Sequence, residues 1–324
     1  MGRSRAARMI PKNSTVMPEF ILAGITDDPQ LQIPLFLGFT LICLLTLVGN
    51  LGVVTLIGLD SRLHTPMYFF LSHLSLADFG CSTAVTPKVM AGLLVGDKVI
   101  SYDACAAQFF FFAVFLIMES SLLASMAYDR HAAVCKPLHY TNIMTTRVCA
   151  WIVIGFYVLG FPEASVHTWN TLSLSFCISS VTHHFFWDAA PVLALSCSDS
   201  NRSEITLFLL VGLNVVFSNL VILVSHLFIF VPVLRVRSSE GHQKAFSTCA
   251  SHLTAVSIFY GTASFMYLQT GSRHSMDTDK VASVFYAMVI PRLNPPIYSL
   301  RNKEVKKALK KAVGKAKSSV RFKF

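Results

Sequence analysis

The fold class this sequence predicts is an all-α membrane protein: a bundle of seven membrane-spanning helices followed by a short amphipathic cytosolic helix. Three observations predict it. Only 14% of the 324 residues are charged, 53% are hydrophobic and mean hydropathy is +0.57, so the chain has too few charges to solvate an ordinary globular surface. Apolar stretches long enough to cross ~30 Å of hydrocarbon recur from end to end. The basic residues are crowded into alternate connections between those stretches, the pattern of membrane topology.

The spans follow in order. Residues 35–59 hold no charge and form the first. Residues 66–90 form the second, with Asp78 in the middle, and residues 104–128 the third, with Glu119 as its acid. Residues 148–161 are short for a span and reach membrane thickness only if residues 166–169 extend them. Residues 205–234, 245–269 and 281–300 complete seven, the last carrying Arg292. All are read as helices, because a chain in lipid has to satisfy its backbone hydrogen bonds internally. The expected organisation is an N-terminal tail 1–34, one bundle domain 35–300 and a basic tail 301–324, with no polar block long enough for a second core.

Of the 27 Lys and Arg residues, 17 lie in connections on the Asp129 side or after Leu300, and 8 lie on the opposite side with the N-terminal tail. The positive-inside rule places the Asp129 side and the C-terminus in the cytosol and the N-terminus outside. The net charge of +10 is therefore a topology signal and not a nucleic-acid surface. Met1 to Pro11 is basic with no apolar run behind it, so no cleavable signal peptide is expected, and Ala6 rules out the myristoylation pattern. Asn13-Ser14-Thr15 and Asn201-Arg202-Ser203 fit the glycosylation pattern on the outer side, Asn13 in the freer position.

Ionisable groups inside such spans carry the functional expectations. Asp129 and Arg130 stand side by side where the third span reaches the cytosol, a placement that suits a switch at a membrane face. Asp78 and Glu119 lie at lipid depth and are expected to face the bundle interior, either with water or an ion or as a protonated hydrogen-bonded pair. Asn294, Pro295 and Tyr298 share about one helical face, and the proline frees a carbonyl so that the helix can bend. Residues 302–324 place Val305, Ala308, Leu309, Ala312, Val313 and Ala316 at helical spacing among lysines, an amphipathic helix for an anionic inner leaflet.

The motifs then carry a resemblance. Gly49-Asn50, LHTPMYFFLSHLSLADF from Leu63, MAYDRHAAVCKPLHY from Met126, SFC ending at Cys177, HHFFWD from His183, LSCSDS from Leu195, KAFSTCASHL from Lys244, FYGT from Phe259 and PRLNPPIYSLRN from Pro291 occur in this order. Taken together they make the chain resemble an odorant receptor, a rhodopsin-like G-protein-coupled receptor, from Asn13 to Leu309. The resemblance implies a plasma-membrane receptor that binds a small volatile odorant and activates a heterotrimeric, stimulatory G protein. It implies ligand contacts at Phe112, Ala113, Leu116, Ile117, Leu210, Asn214, Tyr260, Ala263 and Tyr267. It assigns a switch to Asp129, Arg130, His226, His252, Asn294, Pro295 and Tyr298. With Asn294, it places a sodium-and-water pocket around Asn50, Asp78 and Glu119.

Four residues depart from the family pattern. Trp187 replaces the cysteine expected to bridge the top of the third span, so either Cys177 and Cys197 pair and leave Cys105 free, or Cys105 captures one of them. Arg292 replaces an apolar residue about 200° around the helix from Asn294. His131 and His226 replace tyrosines. A receptor impaired in folding or signalling therefore stands as an alternative, beside a rhodopsin-like receptor for another ligand class. An amine receptor would want an acid where Phe112 stands. A channel or transporter would want repeated halves or more in-membrane charge. An enzyme would want a nucleophile, base and orienter on one face, and the chain offers none.

Overall fold

The computed structural model describes residues 20–22, 28–97, 99–173, 181–182, 201–235, 250, 252–262, 304–311 and 314. Local sequence sets the helix ends. α1 (Pro29–Leu59) starts where the Asp28 side chain accepts from the Gln30 amide at 2.9 Å and Pro29 occupies the first turn. A 3-10 turn, Ser61–Leu63, leads to α2 (Pro66–Val95), which again opens on a proline and stops at Gly96. With φ of 68°, Gly96 takes the left-handed conformation that a residue without Cβ adopts freely.

α3 (Tyr102–Cys135) is capped by Ser101, which accepts from the Ala104 amide at 3.3 Å, and it ends ahead of Pro137. A single turn, α4 (Tyr140–Ile143), precedes α5 (Thr146–Leu172), where Thr145 accepts from the Val148 amide at 3.2 Å. α6 (Asn201–Arg235) follows, with Asn201 of the second glycosylation pattern as its first residue. Helical residues 252–262, here α7, belong to the sixth expected span, and 304–311, here α8, to the basic tail. The expected seventh span lies outside the described residues, as do Ala263, Tyr267, Asn294, Pro295, Tyr298, Arg292, Cys177, Cys197, Trp187 and Asn13.

The fourth span differs from its expected length. The sequence breaks the apolar run at Pro162-Glu163, yet α5 continues through both for 27 residues. Proline removes one hydrogen bond and tertiary packing holds the helix across the gap, with Ala164 and His167 buried beyond it. A small sheet is the second difference. β1 (Phe20–Leu22) lies between β2 (Val99–Ile100), antiparallel, and β3 (Val181–Thr182), parallel. Part of the N-terminal tail is thereby tied across the Cys105 end of the bundle.

The surface is apolar and the interior holds the polar groups. Leu37, Leu41, Leu45 and Val48 of α1 and Phe217, Leu220 and Leu227 of α6 are exposed, whereas Asn50, Ser75, Asp78, Glu119 and Asp129 are buried. Water would reverse that distribution; lipid requires it. Four described helices, in α1, α3, α5 and α6, are long and apolar enough to cross a membrane. α2 matches them in length but carries a polar inner face. α3, at 34 residues or about 50 Å, is the axis, packing against α2, α5 and α6.

The connection from α1 to α2 is held by the Arg62 guanidinium, which donates to both carboxylate oxygens of Asp60 at 3.0 and 2.6 Å and keeps that carboxyl well below its ordinary pKa. Lys311 and Glu304 of α8 act electrostatically on this pair, which sets α8 beside it. Val305 and Ala308 of α8 are buried as the helical spacing predicts; Leu309, assigned to the same stripe, is exposed.

α2 and α3 approach closely because Gly80 has no side chain: a Cβ there would overlap the Phe115 ring. Gly80→Val is expected to lower stability by about 1–3 kcal/mol through overpacking. Thermal unfolding in micelles checks this, and Gly80→Val with Phe115→Ala recovers part of the loss if the clash is the cause.

Candidate functional site

α3 carries the candidate site along its length. At one end Cys105 is fully buried and is a free thiol. Cys177 and Cys197, on which both sequence alternatives turn, lie outside the described residues. About two to three turns further on, Phe112 is buried while Ala113, Leu116 and Ile117 are half-buried. All four belong to, or pack against, the same apolar core as Phe259 and Tyr260 of α7. Phe259 and Tyr260 meet edge to face at 4.9 Å, and the Tyr260 hydroxyl is enclosed, with Ser218 of α6 beside it. Leu210 is half-buried on α6, and Asn214 accepts from the Ser120 hydroxyl at 2.8 Å, joining α6 to α3. Of the predicted ligand positions that are described, Phe112, Ala113, Leu116, Ile117 and Tyr260 share one apolar core, and Asn214 reaches α3 through Ser120.

The polar layer comes next. Asn50, Asp78 and Glu119, from α1, α2 and α3, are 0%, 0% and 2% exposed. Cys81 of α2 lies within electrostatic reach of both carboxyls. The donors are carboxylate and amide oxygens, the set that suits a hard cation.

Beyond that layer a chain of hydrogen bonds ties three helices. His252 of α7 is 3.0 Å by Nε2 from the Leu123 carbonyl and 3.1 Å by Nδ1 from His226 Nε2 of α6. A carbonyl only accepts, so His252 Nε2 carries the hydrogen and Nδ1 accepts from His226. The proton order runs from α6 through α7 to α3. His226 does what a tyrosine would do there, offering one donor across the helix gap. His131, the other substitution for tyrosine, packs its ring between Tyr128 and Phe228 at 6.0 and 5.7 Å.

At the far end Asp129 is buried and accepts from the Tyr140 hydroxyl at 2.8 Å. The adjacent Arg130 acts on it through space only; no ion pair joins the two, and the pairing expected from their adjacency is replaced by one with α4. Successive residues of a helix point about 100° apart, which is why neighbours in sequence are poor partners in space. Burial, followed by the Asp129 charge, pushes the Tyr140 hydroxyl above its ordinary pKa.

Two residues escaped the sequence reading. Tyr140 lies within the quoted stretch, but nothing in the spacing shows that the turn after Pro137 folds back onto Asp129. Glu163 had a signal, an acid in a membrane helix. It was missed because Pro162 closed the span one residue early. Its carboxyl faces a groove between α3, α5 and α6, 3.9 Å from His167.

Tyr140→Phe leaves a buried carboxylate without its donor and is expected to cost about 1–3 kcal/mol. Because the tyrosine pKa is raised on folding, the bond's contribution is fully present below the unfolded value of about 10 and is lost as pH climbs past it. Melting curves of wild type and Tyr140→Phe should therefore differ by a constant amount from pH 6 to 9; a difference that vanishes at pH 6 would contradict the assignment.

Comparison with known proteins places this arrangement. The family model for olfactory receptors matches residues 39–316. Olfactory receptor 5B12 of Homo sapiens is 67% identical over 313 residues, covering 97% of this chain and 100% of that protein. Olfactory receptor 5B21 of Mus musculus is 60% identical over 304 residues, covering 94% and 95%. Squid rhodopsin superposes with a TM-score of 0.70 at 16% identity, over 89% of this chain and 87% of its own, and so shares the fold. The chain belongs to the olfactory receptor family: it is a multi-pass membrane protein with the seven-helix fold of rhodopsin, a G-protein-coupled receptor and not an enzyme.

Proposed function

We propose that this receptor binds small apolar odorants between α3, α6 and α7 and passes the event to a heterotrimeric stimulatory G protein at the Asp129 face, raising cAMP. The observation that carries the reading is the placement of Tyr260 and His252 on one helix. Eight residues, or about 12 Å, separate the ligand region from the hydrogen-bond chain that ties α6 and α7 to α3. A ligand that displaces α7 at Tyr260 draws on the His252–Leu123 bond, and release of that bond frees α7 to move away from Arg130. The ligand shifts this balance only by its differential affinity for the two states.

Phe112, Ala113, Leu116, Ile117 and Leu210 supply dispersion, and Asn214, Tyr260 and Tyr267 supply one or two hydrogen bonds; Ala263 completes the wall. A ligand of a dozen heavy atoms reaches micromolar affinity, about 8 kcal/mol, at roughly 0.7 kcal/mol per atom, within the range of about 0.3–1.5 open to small ligands. Asn50, Asp78 and Glu119 would hold a sodium ion in the resting state. Asn294, Pro295 and Tyr298 form the moving joint of the seventh span. In this reading the N-terminal tail 1–34 is extracellular and residues 301–324 are cytosolic, with α8 on the inner leaflet.

A cAMP reporter in cells expressing the full chain, screened with an odorant panel, tests the proposal. Arg130→Ala is expected to remove the response at unchanged surface expression, and Tyr260→Ala to reduce potency at least tenfold. Substituting choline for sodium should raise agonist potency in wild type and leave Asp78→Asn unchanged. A response seen only in Trp187→Cys would assign the impaired-receptor alternative, and no response in either form at normal surface expression would sink the signalling reading.

A further inference from the structure

We infer that the groove between α3, α5 and α6 binds a straight-chain aliphatic amphiphile whose head group donates a hydrogen bond to Glu163. The groove has a volume of 380 Å³. On α3 it runs from Ile117 to Tyr128 and on α5 from Glu163 back to Ile152, eleven residues on each, or about 16 Å. Gly160 and Ile117 fix the two helices at the Glu163 end, where a Cβ on Gly160 would stand 3.4 Å from Ile117. An occupant that follows both helices over that length is elongated, as one extended hydrocarbon chain is.

The two ends differ in chemistry. At the far end Tyr128, Met144 and Ile152 close the groove. At the near end lie Glu163 and Asn214. Glu163 Oε1 is buried without a hydrogen-bond partner, and His167 Nε2, at 3.9 Å, is too far to supply one and is itself unpartnered. A carboxyl oxygen enclosed at membrane depth is costly to leave without a donor, so the groove selects an occupant that brings one. Asn214 already uses its carbonyl for Ser120. Its amide hydrogens remain to meet a head group that also accepts, as a hydroxyl does. The rim is formed by Leu159 and Phe217, both strongly exposed to lipid, so the occupant enters sideways from the bilayer with its chain already desolvated.

The site adjoins the Phe112–Tyr260 region: Phe112 and Tyr260 do not line it, and Ile117 and Asn214 belong to both walls. Its occupation does not depend on coupling to a G protein. Two head groups can donate to Glu163, a neutral hydroxyl, which also accepts from Asn214, and a protonated amine, which only donates, and the experiment separates them.

The full chain is placed in phosphatidylcholine nanodiscs and its thermal unfolding is followed with 1-decanol, decylamine and decane at equal bilayer loading. Wild type is expected to be stabilised by decanol or decylamine and not by decane, since binding to the folded state raises the melting temperature in proportion to ln(1 + [L]/Kd). Glu163→Leu should lose the head-group effect, with affinity down at least tenfold. Glu163→Gln, of equal shape and with an accepting carbonyl, should keep the decanol shift and lose any decylamine shift. Gly160→Val, which narrows the groove, should weaken binding of both. Equal shifts with decane and decanol in wild type, or a decanol shift untouched in Glu163→Leu and Gly160→Val, would overturn the site and leave Glu163 as a partner of His167 alone. A cAMP measurement on the same variants keeps the two readings apart: shifts without signalling retain this groove and remove the coupling, and signalling without shifts does the reverse.

Discussion

Hydrocarbon offers no hydrogen bonds, and that constraint organises the molecule. Every polar group has to find its partner inside the bundle, so Asn50, Asp78, Glu119, Asp129 and His252 turn inward and leucine, valine and phenylalanine cover the outside. α3 bears the consequence most directly. It is the helix against which α2, α5 and α6 pack, and among the described residues most polar contacts between helices have one end on it: Ser120 with Asn214, the Leu123 carbonyl with His252, Asp129 with Tyr140.

These contacts differ in how firmly they hold. The Tyr140–Asp129 bond is a short one between a hydroxyl and a carboxyl, protected by burial, and fixes a loop to the axis. The His226–His252–Leu123 chain instead passes through two imidazoles, each committed to one tautomer, and runs between helices that apolar contact alone would leave free to slide. A tyrosine in place of His226 would offer one hydroxyl; the imidazole offers a donor on a shorter arm. Of the four departures, His226 takes part in this chain of hydrogen bonds. His131 keeps an aromatic contact with Phe228, and Cys105, unbridged, is enclosed in the packing at the other end.

The proline in α5 has two effects. It hides Glu163 from a reading based on uninterrupted apolar length. It also lets the helix carry that carboxyl to a place where α5 and α6 barely touch, while both touch α3. A groove opens there because two neighbours of one axis need not meet each other.

How much was legible from the chain alone follows from what its residues report locally. The number of spans, their order, the burial of Asp78 and Glu119, and the family itself are properties of composition, spacing and motif, and lipid makes them unusually readable because an apolar run of sufficient length has few other uses. Tertiary structure decided what depends on two segments meeting. That includes Tyr140 and not Arg130 as the partner of Asp129, His226 as the donor to His252, the strand of the N-terminal tail between two loops, and the groove at Glu163. Sequence distance says nothing about any of these, since a hydrogen bond of about 3 Å is settled by how helices tilt and rotate about one another, and that is fixed by the packing of the whole bundle.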